Sequence, residues 1–160
     1  MIRAFEPSDM NEIIALAREN AKEANVDSIL PIDDVYFTKT LKSLLVKHNN
    51  HCIVAEHNGK IVGYSLIGFI TKVWNNTLYG DVYFFYVHES IRNKYFADAL
   101  FDSTVDACKK AGCRWIEWSV NLFDDKFTGA ESFVERASTY FEHRGGNHCG
   151  NMFVYDLEHN

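Results

Sequence analysis

Proline and long apolar runs are both scarce in this chain of 160 residues, which contains two prolines. No apolar run approaches the roughly 20 residues of a membrane-spanning helix, so we expect no membrane partner. The first residues, Met1 to Glu6, also lack the basic and then apolar segments of a secretory leader. These absences favour a cytoplasmic protein, and the length suits a single domain over residues 1–160.

Positive charge is in deficit as well. The chain has 16 Lys and Arg against 22 Asp and Glu, a formal net charge of −6. Duplex nucleic acid requires a basic face, whereas the basic residues here are dispersed, so we expect no nucleic-acid partner. The acidic balance suits a cationic, amine-bearing partner better.

The cysteines are few and lack the close paired spacing of a zinc site or a disulfide framework. They are Cys52, Cys108, Cys113 and Cys149. Three lie in apolar contexts, and we interpret the set as buried free thiols. The stretch from His143 to Cys149 crosses a Gly-Gly turn without a second ligand pair, so we expect no metal.

The apolar residues that are present repeat with the periods of helices and strands. The expected elements, in order, are a strand at 1–5, a helix opened by Pro7-Ser8-Asp9, a helix opened by Asp33-Asp34, strands at 52–56, 60–71 and 79–87, a helix ending at Gly112, a strand at 115–120, a loop at 121–130, a helix at 131–143, a Gly-rich turn at 144–151 and a strand at 152–157. This order, β-α-α-β-β-β-α-β-α-β, indicates the α/β class.

Three parts of the sheet can be predicted more closely. Asn58-Gly59 suits a two-residue hairpin turn, because both residues tolerate positive φ. After Asn75-Asn76, we expect the aromatic run 79–87 to be a central strand covered on both faces. That strand and 115–120 flank a helix, so we expect them to be parallel neighbours with a right-handed crossover.

The stretch from Val87 to Leu100 is the most informative part of the chain, because it joins a strand to a helix through a short basic turn. The first turn of a helix has unpartnered N–H groups and the positive end of the macrodipole, which together favour a phosphate. Arg92 and Lys94 add positive charge there. The plain alternative is an ordinary strand-to-helix turn with a solvated basic cap.

In spacing, this stretch resembles the pyrophosphate loop of the GNAT N-acetyltransferase superfamily, Val-x-Pro-x-x-Arg-x-x-Gly-x-Gly/Ala-x-x-Leu. The matching residues are Val87, Arg92, Ala97 and Leu100. Glu89 stands in place of the proline and Tyr95 in place of the first glycine. The element order is also that of the family, and the tail matches in part, at Ala137, Gly145 and residues 152–157.

The resemblance implies a GNAT-like acyl-CoA N-acyltransferase fold, with a mixed central sheet and helices on both faces. It implies acetyl-CoA as co-substrate, with backbone groups near Phe85, Tyr86 and Val87 holding the thioester. The pyrophosphate would rest on the turn formed by Arg92, Asn93, Lys94, Tyr95, Phe96 and Ala97. Tyr95 can serve through its N–H if its ring points outward.

Catalysis in such a site needs a proton acceptor for the attacking amine. Asp81 and Tyr83 alternate toward one face of the central strand, and Glu117 lies on the neighbouring strand. Asp81 is the first choice among the three, against the alternative of a carboxylate in solvent.

The leaving thiolate needs a proton. The family often uses a tyrosine in the last helix, four residues before the turn glycine, and that position holds Phe141. Tyr140 is adjacent, one residue or about 100° of helical rotation away, and could act in a shifted register. We predict Tyr140 as the acid, against a half-buried core tyrosine.

Together these residues predict acetyl transfer from acetyl-CoA to a primary amine on a small molecule or protein. The acceptor site would involve the acidic connection between Asn20 and Asp34 and the turn 147–151. The alternative is a non-catalytic module of the same fold that binds a protein partner, with a homodimer left open. The departures at Glu89, Tyr95 and Phe141 separate the two hypotheses.

Overall fold

A computed structural model describes residues 1–23, 32–91, 94–119, 131–149 and 152–156. Its strands are β1 (Ile2–Ala4), β2 (Asn50–His57), β3 (Lys60–Lys72), β4 (Asn75–Val87), β5 (Trp115–Ser119), β6 (Asn147–Cys149) and β7 (Met152–Asp156). Its α-helices are α1 (Met10–Glu23), α2 (Asp34–Val46), α3 (Lys94–Ala111) and α4 (Glu131–His143). Single 3₁₀ turns precede α1 at Pro7–Asp9 and α3 at Glu89–Ile91.

The strands form one mixed sheet in the order β1-β2-β3-β4-β5-β7-β6. Neighbours are antiparallel except β4 and β5, which pair in parallel. The parallel pair confirms the prediction from connectivity, since α3 links the two strands. Asn58 has φ 51° and Gly59 has φ 75°, so the predicted hairpin turn between β2 and β3 is also confirmed.

Helices cover both faces of the sheet, as expected. On one face α1 and α2 supply Ile13, Leu16, Leu41 and Leu45, which pack on side chains of β2 and β3 and on Tyr86. On the other face α3 and α4 pack on β4 and β5 through residues such as Leu100, Phe101, Cys108 and Phe141. The start of α2 matches the sequence, because the Asp33 carboxylate accepts hydrogen bonds from the N–H groups of Val35 and Tyr36.

Two connections correct the predictions. The turn between β3 and β4 consists of the exposed residues Val73 and Trp74, and Asn75 already pairs with Lys72 as the first residue of β4. The expected turn at 144–151 contains a short edge strand, β6, which pairs with β7. Three polar residues carry no periodic apolar signal, so sequence could not indicate it. The predicted loop at 121–130 lies outside the described residues.

Cys52, Cys108 and Cys113 are buried free thiols, as expected. In the described part of the chain no three His, Cys, Asp or Glu residues are grouped to hold a metal. No helix among the described residues is long and apolar enough to cross a membrane.

The N-terminal strand is joined to the fold by a charged cluster. Arg3 on β1 donates two hydrogen bonds to the Asp9 carboxylate, at 2.7 and 2.9 Å, and one to Glu56 on β2 at 2.9 Å. Asp9 is 5% exposed and also accepts from the Glu6 N–H. The hydrogen bonds from Arg3 lower the pKa of Asp9 below its ordinary value.

Asp9→Asn should therefore destabilise the protein by about 2 kcal/mol at neutral pH, because it removes the charge from a covered hydrogen-bonded pair. A lowered folded pKa means that this contribution is present above the unfolded pKa of about 4 and is lost as pH falls through the folded value. Urea unfolding between pH 2 and 7 measures it. The exposed Asp106→Asn is the control, and equal curves for both variants would contradict the assignment.

Candidate active site

The sheet opens between β4 and β5. Their parallel pairs are Gly80 with Ile116, Asp81 with Glu117 and Val82 with Trp118. Beyond Val82 no pair joins them in the described residues, although β4 continues to Val87. Among the residues that the structure describes, Phe84 to Val87 pair with β3 and have no ladder partner on β5, whose described part ends at Ser119.

A β-bulge marks the point of opening. Leu66 of β3 pairs with Phe84 and the next residue, Ile67, pairs with Val82, so Tyr83 is the extra residue of β4. A bulge bends its strand and increases its twist. It also puts Tyr83 and Phe84 toward the same core, that of α1 and α2, while Val82 and Phe85 contact the core under α3.

The antiparallel ladder between β3 and β4 shows where the backbone groups point. The N–H of His88 donates to the Val62 carbonyl at 2.8 Å, so these two residues form a hydrogen-bonded pair. Such pairs alternate with non-bonded ones along the ladder. Tyr86 is therefore directed toward Tyr64 on β3, whereas Phe85 and Val87 direct their N–H and C=O groups away from β3.

The predicted thioester contacts are refined by this alternation. Phe85 and Val87 face the side on which β4 and β5 separate. The Tyr86 backbone belongs to the β3 ladder, and its side-chain hydroxyl donates to Glu23 of α1 at 2.5 Å. Tyr86 thus anchors α1 to the sheet rather than lining the opening with its backbone.

The same strand leads directly into the predicted phosphate turn. Of the six predicted residues, Arg92, Asn93 and the Lys94 side chain lie outside what the structure describes. Tyr95 is 70% exposed, so its ring is turned to solvent, while Phe96 is buried and Ala97 half-buried in the first turns of α3. Tyr95 can therefore serve a phosphate through its N–H, because its ring points outward.

His88 secures this turn and was not identified from sequence. Its Nδ1 accepts from the Ser90 N–H at 3.2 Å, and its Nε2 lies 3.3 Å from the Glu19 carboxylate on α1. This arrangement links the helix beside the expected acceptor region to the turn beside the expected phosphate.

An ionic and aromatic cluster lies on the sheet next to Asp81. The Lys72 ammonium donates to Glu117 Oε2 at 2.6 Å, and the Trp115 indole N–H donates to Glu117 Oε1 at 3.1 Å. Lys72 also lies 4.3 Å from the centre of the Tyr79 ring, which stacks on Trp115. Both oxygens of Glu117 are thus occupied.

Asp81 is half-buried, and within the described residues its carboxylate makes no hydrogen bond or ion pair. Burial, with the charge of Glu117 adding to it, raises the pKa of Asp81, and Lys72 offsets part of the rise. Tyr83 lies on the same face, because its ring covers Gly68, the β3 partner of Asp81. A Cβ at Gly68 would clash with the Tyr83 hydroxyl. Burial raises the pKa of Tyr83 as well.

The two candidate positions on α4 face different neighbours. The Tyr140 hydroxyl donates to Asp98 of α3 at 3.2 Å, and burial followed by the charge of Asp98 raises the pKa of Tyr140. Phe141 is buried, with its ring centre 6.2 Å from that of Phe85 and 5.4 Å from that of Trp118. Phe141, rather than Tyr140, contacts the strands that separate.

The acidic residues expected around the acceptor have structural partners where they are described. Asp33 caps α2, Asp34 pairs with Arg18 at 3.0 Å, and Glu23 accepts from Tyr86. Asp27 lies outside the described residues. On the sheet, the Asp81 carboxylate has no hydrogen-bond or ion-pair partner among the described residues.

Comparison with known proteins agrees with this geometry. Residues 11–137 match the model of the Acetyltransferase (GNAT) family. Because the match spans most of the chain, the protein belongs to the GNAT acetyltransferase family. No curated protein matches the chain.

Solved structures share the fold at low sequence identity. An acetyltransferase of the GNAT family from Staphylococcus aureus Mu50 is 16% identical, with a TM-score of 0.71 over 98% of each chain. A possible acetyltransferase from Clostridium difficile 630 is 20% identical, with a TM-score of 0.70 over 93% of this chain and 91% of that one. A predicted acetyltransferase with acetyl-CoA from Clostridium acetobutylicum is 18% identical, with a TM-score of 0.69 over 94% and 91%.

Proposed function

We propose that this protein transfers an acetyl group from acetyl-CoA to a primary amine, by direct attack within a ternary complex. The observation that carries the proposal is the opening of β4 and β5 after Val82, on the strand that runs into the start of α3. The acyl end of an extended cofactor can thus be held by β4. Its phosphates can be held by the start of α3, which follows β4 in the chain. The acetyl-CoA of the Clostridium acetobutylicum relative supports the choice of co-substrate.

The cofactor arm would lie beside Phe85, on the side of β4 that faces away from β3, and pair with it as a strand would. Phe85 directs its N–H away from β3, and a fixed N–H is the donor that a developing oxyanion requires. The pyrophosphate would sit at the N-terminus of α3, where N–H groups of the first turn and the helix dipole favour an anion. Tyr95 can contribute its N–H because its ring is exposed.

The chemistry assigns one role to Asp81. The amine nitrogen attacks the thioester carbonyl carbon, the carbon–sulfur bond breaks, and the amine loses a proton. Glu117 is already held by Lys72 and Trp115, so Asp81 is the carboxylate able to accept that proton, directly or through one water. A raised pKa makes Asp81 a stronger base than an ordinary aspartate.

The leaving thiolate would be protonated without a tyrosine. Tyr140 would have to give up its hydrogen bond to Asp98 to reach it, and Phe141 beside Phe85 has no proton to give. Water is then the proton source for the CoA thiolate. In this proposal Tyr140 links α4 to α3 through Asp98 and is not the thiolate acid.

Acetyl-CoA should bind and raise the melting temperature, and the stabilisation should grow with the logarithm of its concentration above Kd. Tyr95→Gly should change Kd less than about tenfold, since its backbone rather than its exposed ring serves the phosphate, although the helix start loosens by up to ~1 kcal/mol. Calorimetry measures both the Kd and the melting temperature. Absence of any heat with millimolar acetyl-CoA would favour the non-catalytic binding module, and a tenfold gain in Tyr95→Gly would mean that the ring blocks the site.

Asp81→Asn should lower turnover by roughly 10²–10⁴ while leaving acetyl-CoA affinity unchanged, because it removes a proton acceptor and no cofactor contact. Steady-state rates with a panel of primary amines, on proteins matched by melting temperature, make the comparison. Asp106→Asn on the exposed side of α3 is the control. A full rate in Asp81→Asn would assign the proton to another group.

Tyr140→Phe should leave turnover within about twofold of the parent, since its hydroxyl is donated to Asp98, whereas Phe141→Tyr should raise turnover by roughly tenfold or more by adding an acid. The same amine assay applies. A hundredfold fall in Tyr140→Phe, with acetyl-CoA binding intact, would restore Tyr140 as the thiolate acid.

A further inference from the structure

A partly buried ion pair lies immediately beside Asp81. Glu117 is the direct neighbour of Asp81 in the parallel register and is 7% exposed. Lys72 comes from the end of β3 and reaches the Glu117 carboxylate at 2.6 Å. Ordinary surface ion pairs are exposed to solvent, whereas this pair lies next to the Asp81 carboxylate.

We propose that Lys72 and Glu117 act as a positioning pair that governs how strongly Asp81 holds a proton during acyl transfer. The inference rests on the proposed function, in which Asp81 accepts the proton of the amine. Neither residue of the pair is placed in contact with the reacting atoms.

The pair has opposite effects on Asp81. The carboxylate of Glu117 disfavours a second negative charge beside it, and the ammonium of Lys72 favours one. The hydrogen bonds from Lys72 and Trp115 fix the Glu117 carboxylate beside Asp81, where its negative charge opposes a second one. Tyr79, under the Lys72 ammonium and stacked on Trp115, holds the cation in place.

The groups that face Asp81 in the described part of the chain are few. Glu117 faces it from β5, Lys72 from β3, and Tyr79 and Tyr83 flank it on β4. Only Glu117 and Lys72 carry charge at neutral pH. Substitutions at these two positions should therefore move the titration of Asp81 in opposite directions.

The test is a ¹³C NMR titration of the Asp81 carboxyl carbon in the cofactor-free protein, with the resonance identified by Asp81→Asn. Glu117→Gln should move the midpoint to lower pH by on the order of one pH unit, because it removes a negative neighbour and leaves Lys72 to act alone. Lys72→Met should move it to higher pH. In each variant the acidic limb of the kcat/KM profile against pH should shift in the same direction as the NMR midpoint.

Lys72→Arg keeps the charge and should leave the midpoint close to that of the parent, and Lys110→Met, at the exposed end of α3, controls for loss of a remote charge. Equal midpoints in the parent, Glu117→Gln and Lys72→Met would overturn the proposal, as would shifts in one direction for both. The titration needs no turnover. A protein that transfers no acetyl group but shows opposed shifts would therefore refute the proposed function, while the effect of Lys72 and Glu117 on the proton affinity of Asp81 would stand.

Discussion

Within the described residues β4 pairs with β5 at three positions, and the rest of the site depends on this limited pairing. Two strands that stay paired would leave no backbone groups for a ligand, because each N–H and C=O of a sheet is normally consumed by its neighbour. Here the bulge at Tyr83 bends β4 where pairing ends, and the freed side begins at that point. An extended ligand can then occupy the place of a missing strand.

The opening also explains why large apolar side chains gather around it. Phe141 of α4 contacts Phe85 and Trp118, one from each of the separating strands, and so covers the gap from the α3 side. On the opposite face Tyr83 lies against Gly68, where a Cβ would force the Tyr83 ring to move. Aromatic side chains therefore pack around the end of the described β4–β5 pairing on both faces of the sheet.

Local signals in the sequence were sufficient for much of the fold and insufficient for the details of the site. Asn58-Gly59 forms a turn and Asp33 caps a helix through groups only a few residues away, so the sequence alone indicates both. The connection through α3 implied that β4 and β5 are parallel. The bulge at Tyr83 could not be seen, because a continuous aromatic run has no alternation that an extra residue would break. Lys72 and Glu117 are 45 residues apart in sequence and meet only in the folded sheet.

Amide hydrogen exchange at Phe85 tests the central claim most directly. The account predicts that the Phe85 N–H exchanges readily in the free protein and becomes strongly protected with saturating acetyl-CoA. The amides of Phe84 and Tyr86, which belong to the β3 ladder, should be protected in both states. An unchanged exchange rate at Phe85, with acetyl-CoA shown to be bound, would contradict the claim that the cofactor pairs with the open side of β4.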